Sequence, residues 1–251
     1  MGASDIQHRA SFATTRWSLV ESLRGNDPGA ARSALEELCA LTWYPLYAFA
    51  RRRGLPPEEA RDATQAFFVE FLEHDGFSRA ERARGRMRAY LLGSFRSSLA
   101  KRAEARSAAK RGGERLLSLD LARAEERYGI EPAHELSPER LYAAAWARSL
   151  LARVVASLRA EYEARGRGAD FEVLEGELAG AATPMATLGA RLGSTPGAAK
   201  VAAHRLRARY RELLRQAILE TLTEPSELED ELAALLAAVS IPPPEIPPEN
   251  R

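Results

Sequence analysis

The sequence predicts an all-α protein of two small helical domains joined by a linker, and three observations carry that expectation. Ala, Leu, Arg and Glu dominate the composition, and all four are good helix formers. Apolar residues recur at three- and four-residue spacing, so helical wheels drawn over the main segments each gather one apolar arc. Glycine and proline cluster between such segments, above all at Gly112-Gly113, Pro132 and Pro138, which part the chain into two periodic runs. With 251 residues, 45% of them hydrophobic, each half can bury a core. The expected divisions are 1–111, a first domain with an N-terminal extension; 112–138, the linker; 139–223, a second domain; and 224–251, an acidic amphipathic segment with a Pro-rich tail.

Several function classes lose support at once. No run approaches the roughly 18 consecutive apolar residues of a membrane span, and MGASDIQHRA has no apolar segment that could act as a signal peptide. A cytoplasmic protein without a membrane partner is expected. The Met-Gly start is not a myristoylation signal, because Ile6 stands where Ser or Thr is needed. The single cysteine, Cys39, lies among Leu38, Leu41 and Trp43 and reads as a small core residue. His8, His74, His134 and His204 lack ligand spacing, and no nucleophile elbow, P-loop or zinc signature is present. Neither an enzyme nor a cofactor or metal is expected.

Charge carries the positive signal. The formal net charge is +1, yet residues 79–111 hold eleven Arg or Lys against two Glu, and residues 191–215 hold seven against Glu212 alone. Acidic stretches at 58–75 and after Glu224 offset them.

In the first half, LEELCALTWYPLYAFARRRG predicts a helix ending at Gly54. PPEEARDATQAFFVEFLE begins another, with Pro in its first turn and acids near its positive end. Its wheel places Ala60, Ala63, Thr64, Phe67, Phe68 and Phe71 on a core arc, and Glu58, Asp62, Gln65, Val69 and Glu73 on the opposite one. The third helix, RMRAYLLGSFRSSLAKRAEARSAAKRGG, puts Leu91, Leu92, Phe95 and Leu99 inward and Tyr90, Ser94, Ser97 and Lys101 outward. An aromatic among hydroxyls and cations suits single-stranded nucleic acid, on which bases stack while cations track phosphates. The alternative for Tyr90 is packing against a neighbouring helix.

In the second half, MATLGARL followed by Gly193, Thr195 and Pro196 has the grammar of helix, tight turn and helix, with Thr195 as N-cap and Pro196 at the first helical position. On the second of these helices Ala199, Ala202, Ala203, Leu206, Tyr210, Leu213 and Leu214 share one arc, and Lys200, His204, Arg205, Arg207, Arg209 and Arg211 take the rest. A helix-turn-helix sets the start of its second helix against base edges while other cations hold phosphates. Thr195, Lys200, Val201 and His204 are the expected readers, and Arg205, Arg207, Arg209 and Arg211 the positioning contacts. Gly189, inside the first of these helices, costs about 1 kcal/mol against Ala and suggests close packing.

On these residues the chain resembles bacterial RNA polymerase sigma factors of the small extracytoplasmic-function type, over about residues 12–220. DATQAFFVEFLE (62–73) is similar to the polymerase-binding segment of region two, RMRAYLLGSFRSSLAKR to the basic helix after it, and the run Gly197–Lys200 to the helix-turn-helix of region four. TTRWSLV (14–20) and LSLD (117–120) resemble a subgroup of these factors. The resemblance implies that residues 1–111 hold region two and 139–223 region four. It implies core RNA polymerase as a partner of Asp62, Gln65, Phe68, Val69 and Glu73. Arg88, Tyr90, Ser94, Arg96, Ser97, Lys101 and Arg102 would meet the melted minus-ten element of promoter DNA, and the helix from Pro196 would read the minus-thirty-five element as duplex. Any envelope signal would arrive through another protein, such as an anti-sigma factor. The competing expectation is a stand-alone helix-turn-helix regulator, which needs no polymerase-facing helix. The acidic segment carries an apolar stripe, Leu228, Leu232, Leu235, Leu236 and Val239, that wants a partner surface: it either caps the second domain or lies in solvent, or it folds back near the basic helix of that domain and weakens promoter binding.

Overall fold

The computed structural model describes residues 28–73, 86–106, 120–130 and 136–240, and among these the fold is all-α, without a strand. The described residues divide into two compact units. The first comprises residues up to Ser149 together with those from Leu219 onward, and the second runs from Leu150 to Ile218.

The first unit opens with α1 (Pro28–Arg52) and α2 (Pro57–Glu73). Gly54, at φ 92°, ends α1, because this left-handed geometry lets its N–H reach Arg51 O while Leu55 N–H reaches Ala50 O. Pro57 begins α2, and Glu58 and Glu59 sit in its first turn, where the helix dipole favours acids. Helix α3 (Met87–Arg106) crosses behind them, and the rings of Phe49 and Phe67 meet Phe95 edge-on at 6.2 and 5.2 Å. All six residues assigned to the core arc of α2 are buried, as is Cys39, whose thiol burial pushes up to about 12. On α3 the inward arc is narrower than expected: Leu91 and Phe95 are buried, Leu92 and Leu99 only half so.

A helix, α4 (Leu121–Ile130), stands inside the stretch read as linker. Ten residues do not sustain a helix alone in water, so its stability comes from what it touches. Asp120 accepts a bond from Arg123 N–H at 3.0 Å and caps its start. Arg51 of α1 donates to both Glu125 oxygens at 2.7 and 3.0 Å, and Tyr47 donates its hydroxyl to the same carboxylate. Arg127 lies 3.6 Å from the Tyr44 ring centroid and Arg51 5.0 Å from that of Tyr128.

Helix α5 (Pro138–Ala164), capped by Ser137, belongs to both units, because the division falls between Ser149 and Leu150. By length and composition it is apolar enough to cross a membrane, but Leu141, Tyr142, Trp146 and Leu150 are fully buried in the protein core. The first unit is completed from the far end of the chain by α9 (Leu228–Val239). The boundaries drawn at 138/139 and 223/224 therefore move. The start of α5 and the described residues from Leu219 to Ser240 both belong to the first unit, which local sequence signals do not reveal.

The second unit holds the rest of α5, then α6 (Gly168–Leu174), a 3-10 turn (Glu175–Leu178), α7 (Met185–Arg191) and α8 (Pro196–Leu219). Leu158, Phe171, Leu174, Leu188 and Leu206 are all fully enclosed there.

Burial alone would raise the Glu125 carboxyl, but the bonds from Arg51 and Tyr47 outweigh it and hold the group below its ordinary value of 4.5. A carboxyl held low stabilises the fold fully above its ordinary value, and that contribution is lost as pH falls through the folded value. Glu125→Gln is expected to lower stability at neutral pH and to flatten the acid limb of the stability profile below 4.5 in urea melts. An acid limb as steep as that of the parent protein would refute the assignment.

Candidate nucleic-acid interface

The turn between α7 and α8 is built by three residues. Gly193, at φ 60°, donates to Ala190 O, and Ser194 N–H reaches back to Gly189 O at 2.8 Å, which closes the end of α7. Thr195 Oγ1 then accepts from Ala198 N–H at 3.2 Å and starts α8, with Pro196 at its first position. Gly189 permits the close return of the chain: a Cβ there would stand 3.0 Å from Ser194 O and from Thr195 C. The close packing expected of this glycine is the contact of α7 with its own following turn.

On α8, Ala199, Ala203, Leu206, Leu213, Leu214 and Ile218 are buried, while Ala202 and Tyr210 at the margin are half-buried. The cations divide into two sets. Arg209 donates to Glu161 of α5 through Nε and Nη2 and to Glu212 at 2.9 Å, and these carboxylates raise its already high pKa. Arg207 donates to the Glu177 carbonyl at 3.1 Å and to its carboxylate, which is buried. Both are among the expected phosphate contacts, and both tie the helix to its own unit. Lys200, His204, Arg205 and Arg211 are exposed, with no ion pair or side-chain hydrogen bond among the described residues, and Val201 shows 49% of its surface beside them. The exposed face of α8 thus carries three of the four expected readers and two of the four expected positioning arginines, with Thr195 at its N-terminal edge.

The basic helix α3 is less open than its wheel suggested. Tyr90 is half-buried with its ring 5.9 Å from Phe71 of α2, so it packs against a neighbouring helix. Ser94 and Arg102 are half-buried; Arg96, Ser97 and Lys101 are exposed. Arg96 pairs with Glu139 at 3.5 Å, and Ser97 donates to Gly93 O within its own helix. Arg88 is engaged most firmly. Its Nη2 donates to Glu231 of α9 at 2.8 Å while its Nε donates to the other carboxylate oxygen, and this bond raises its pKa.

Glu231 is the residue that the sequence reading missed. Its carboxylate also meets Arg86 at 3.1 Å and is wholly buried. Around it Met87 N–H donates to Thr221 O, Arg86 bridges Leu222, and the Tyr142 hydroxyl donates to Arg88 O at 2.9 Å. The basic helix that the acidic tail meets is therefore α3, where the fold-back expectation named α8. The buried arc of α9 runs through Leu228, Glu231 and Leu235 and leaves Leu236 at 49% exposure, a rotation toward the acid relative to the expected stripe. A signal was present: Glu231 lies three residues after Leu228 and four before Leu235, on their face.

The helix expected to face polymerase is corrected in part. Asp62 is exposed beside Arg61 at 3.0 Å and Val69 is half-buried, but Gln65 and Phe68 are buried within the unit. The side chain of Glu73 lies outside the described residues, as do TTRWSLV and residues 117–119 of LSLD. Among the described residues no group of three or more His, Cys, Asp or Glu is placed to hold a metal ion.

No family model matches the chain, and no curated protein or solved structure gives a significant match to it.

Gly189→Ala tests the turn. Helix propensity alone would make it stabilising, but the added methyl meets backbone at 3.0 Å, so a net loss of about 1–3 kcal/mol is expected in chemical denaturation. A variant as stable as the parent protein would remove the close approach from the account.

Proposed function

We propose that this protein is an RNA polymerase sigma factor of the extracytoplasmic-function type, which binds core polymerase, recognises promoter minus-ten and minus-thirty-five elements and promotes transcription initiation. The observation that carries the reading is the capped helix-turn-helix of α7 and α8, with its exposed face of Lys200, Val201, His204, Arg205 and Arg211. A major groove admits such a helix, and a basic face with a few uncharged contacts near its N-terminus supplies both phosphate affinity and base discrimination. The polymerase half of the reading rests on the resemblance of residues 62–73, with Asp62 and Val69 as the residues of that set open to a partner. Such a factor is non-catalytic and works in the cytoplasm on core polymerase and promoter DNA, under an anti-sigma factor where a signal must reach it.

Gln65 and Phe68, two of the five polymerase-facing residues, are buried, and this favours keeping the stand-alone regulator as the second reading. Transcription in vitro with core polymerase and a pool of genomic promoter fragments separates the two. The sigma reading expects defined start sites that depend on the protein, and failure of the folded protein to bind core at low salt would overturn it.

Two groups of substitutions divide the surfaces. Lys200→Ala is expected to cost about 1–3 kcal/mol at the selected promoter duplex and little on unrelated duplex. Arg211→Ala is expected to weaken both alike and to lower the salt slope by about 1. Equal losses on both duplexes for Lys200→Ala would remove it from the readers. Asp62→Ala is expected to weaken core binding, measured by pull-down, with unchanged melting temperature.

A further inference from the structure

Arg86 and Arg88 converge on one buried carboxylate, Glu231, while Arg86 also lies 3.5 Å from Glu227, and two guanidinium groups so placed make a preformed anion site. Arg86 and Arg88 flank the first residue of α3, and their cations meet at Glu231, which is buried while the arginine side chains remain 29% and 19% exposed. The acid arrives from 143 residues away on a helix whose first turn also carries Glu229 and Asp230, both exposed. The backbone that carries the arginines is held by other contacts than this carboxylate. Tyr142 holds the carbonyl of Arg88, and Thr221 O accepts the N–H of Met87 between them. Any anion of similar geometry, with two oxygens on one atom, fits the same fork.

We propose that Arg86 and Arg88 form a binding site for a backbone phosphate of single-stranded DNA, and that Glu231 occupies this site in the free protein as an internal substitute. The inference rests on the sigma reading in one respect, that α3 meets a melted strand. DNA and α9 then compete for one pair of cations. The exposed half of the Arg–Glu cluster is where the strand first gains contact. The acids of α9 repel the incoming phosphates until the helix withdraws, so the exchange is all-or-none at this site. Binding is weakened by the population of the closed form, as for any ligand whose site is occupied from within.

The test uses the full chain and a fluorescent mixed-sequence single-stranded 12-mer, because phosphate contacts do not depend on sequence. Glu231→Gln is expected to tighten binding on the order of tenfold, the worth of one charge-assisted bond. The slope of log affinity against log salt should steepen by about 0.7, the value for one added phosphate contact on a single strand. Adding Arg88→Gln to Glu231→Gln should cancel most of the gain. Unchanged affinity and slope in a folded Glu231→Gln variant would overturn the proposal and leave the pair as a structural tie. Should that variant not fold, hydrogen exchange on the unaltered chain decides: saturating 12-mer is expected to deprotect the amides of α9, and protection that persists would overturn the proposal. Failure of the sigma reading is distinguishable, since core-dependent transcription can fail while Glu231→Gln still tightens DNA binding, and the reverse can also occur.

Discussion

A carboxylate taken out of water needs a cation beside it, or its desolvation costs several kcal/mol. In this chain Glu161, Glu177 and Glu231 have side chains at 8%, 2% and 1% exposure, and arginine meets each of them. Those pairings decide which of the many cations are free. On α8, with 100° between successive residues, Arg207 and Arg209 are the cations that border the buried arc on its two sides. Each reaches an acid on its own side, buried Glu177 for one and half-buried Glu161 for the other. The helix is thereby fixed in rotation about its axis, and the residues left at the centre of the exposed face, Lys200, Val201, His204, Arg205 and Arg211, present one surface. A basic helix that spends its marginal arginines inward gains a definite orientation, which readout of base edges requires more than it requires additional charge.

Legibility in the sequence followed the range of the interaction. Gly193, Thr195 and Pro196 act within one turn of chain, and the helix-turn-helix was readable from them; the buried arcs of α2 and α8 were readable because a helix repeats its own geometry. Gln65 marks where that stops. A wheel tells which residues share a face but not how many faces a neighbour covers, and α2 packs against α1, α3 and α4, so a second arc is partly enclosed. Helix α4 was hidden for a related reason. Its ten residues are too few to stand alone and are held by Arg51, Tyr47 and Tyr44 of a helix some 75 residues earlier, with Arg51 and Glu125 separated by 74. The pairing of Arg88 with Glu231 spans 143 positions and left no local trace beyond an acid on an apolar stripe.

On the exchange proposed for the start of α3, such a tie would be replaced without loss of structure. Removing Glu231 outright would leave Arg88 partly enclosed and unpaired and Arg86 with Glu227 alone at 3.5 Å, an arrangement that costs more than the pair is worth. Replacing it by a phosphate keeps the charge balance and the bidentate geometry, so the cost falls on α9 alone, which must expose Leu228 and Leu235 as it leaves. At roughly 25 cal/mol per Å² the burial of two leucines is worth a few kcal/mol, the scale of a switch that DNA contacts can outweigh and thermal motion does not. Because Tyr142 and Thr221 hold the backbone at Arg88 and Met87 independently, the helix need not move when its anion changes. The two arginines are then as well placed for a strand as they are for the tail, and the competition between the two anions is set by charge and apolar burial rather than by refolding.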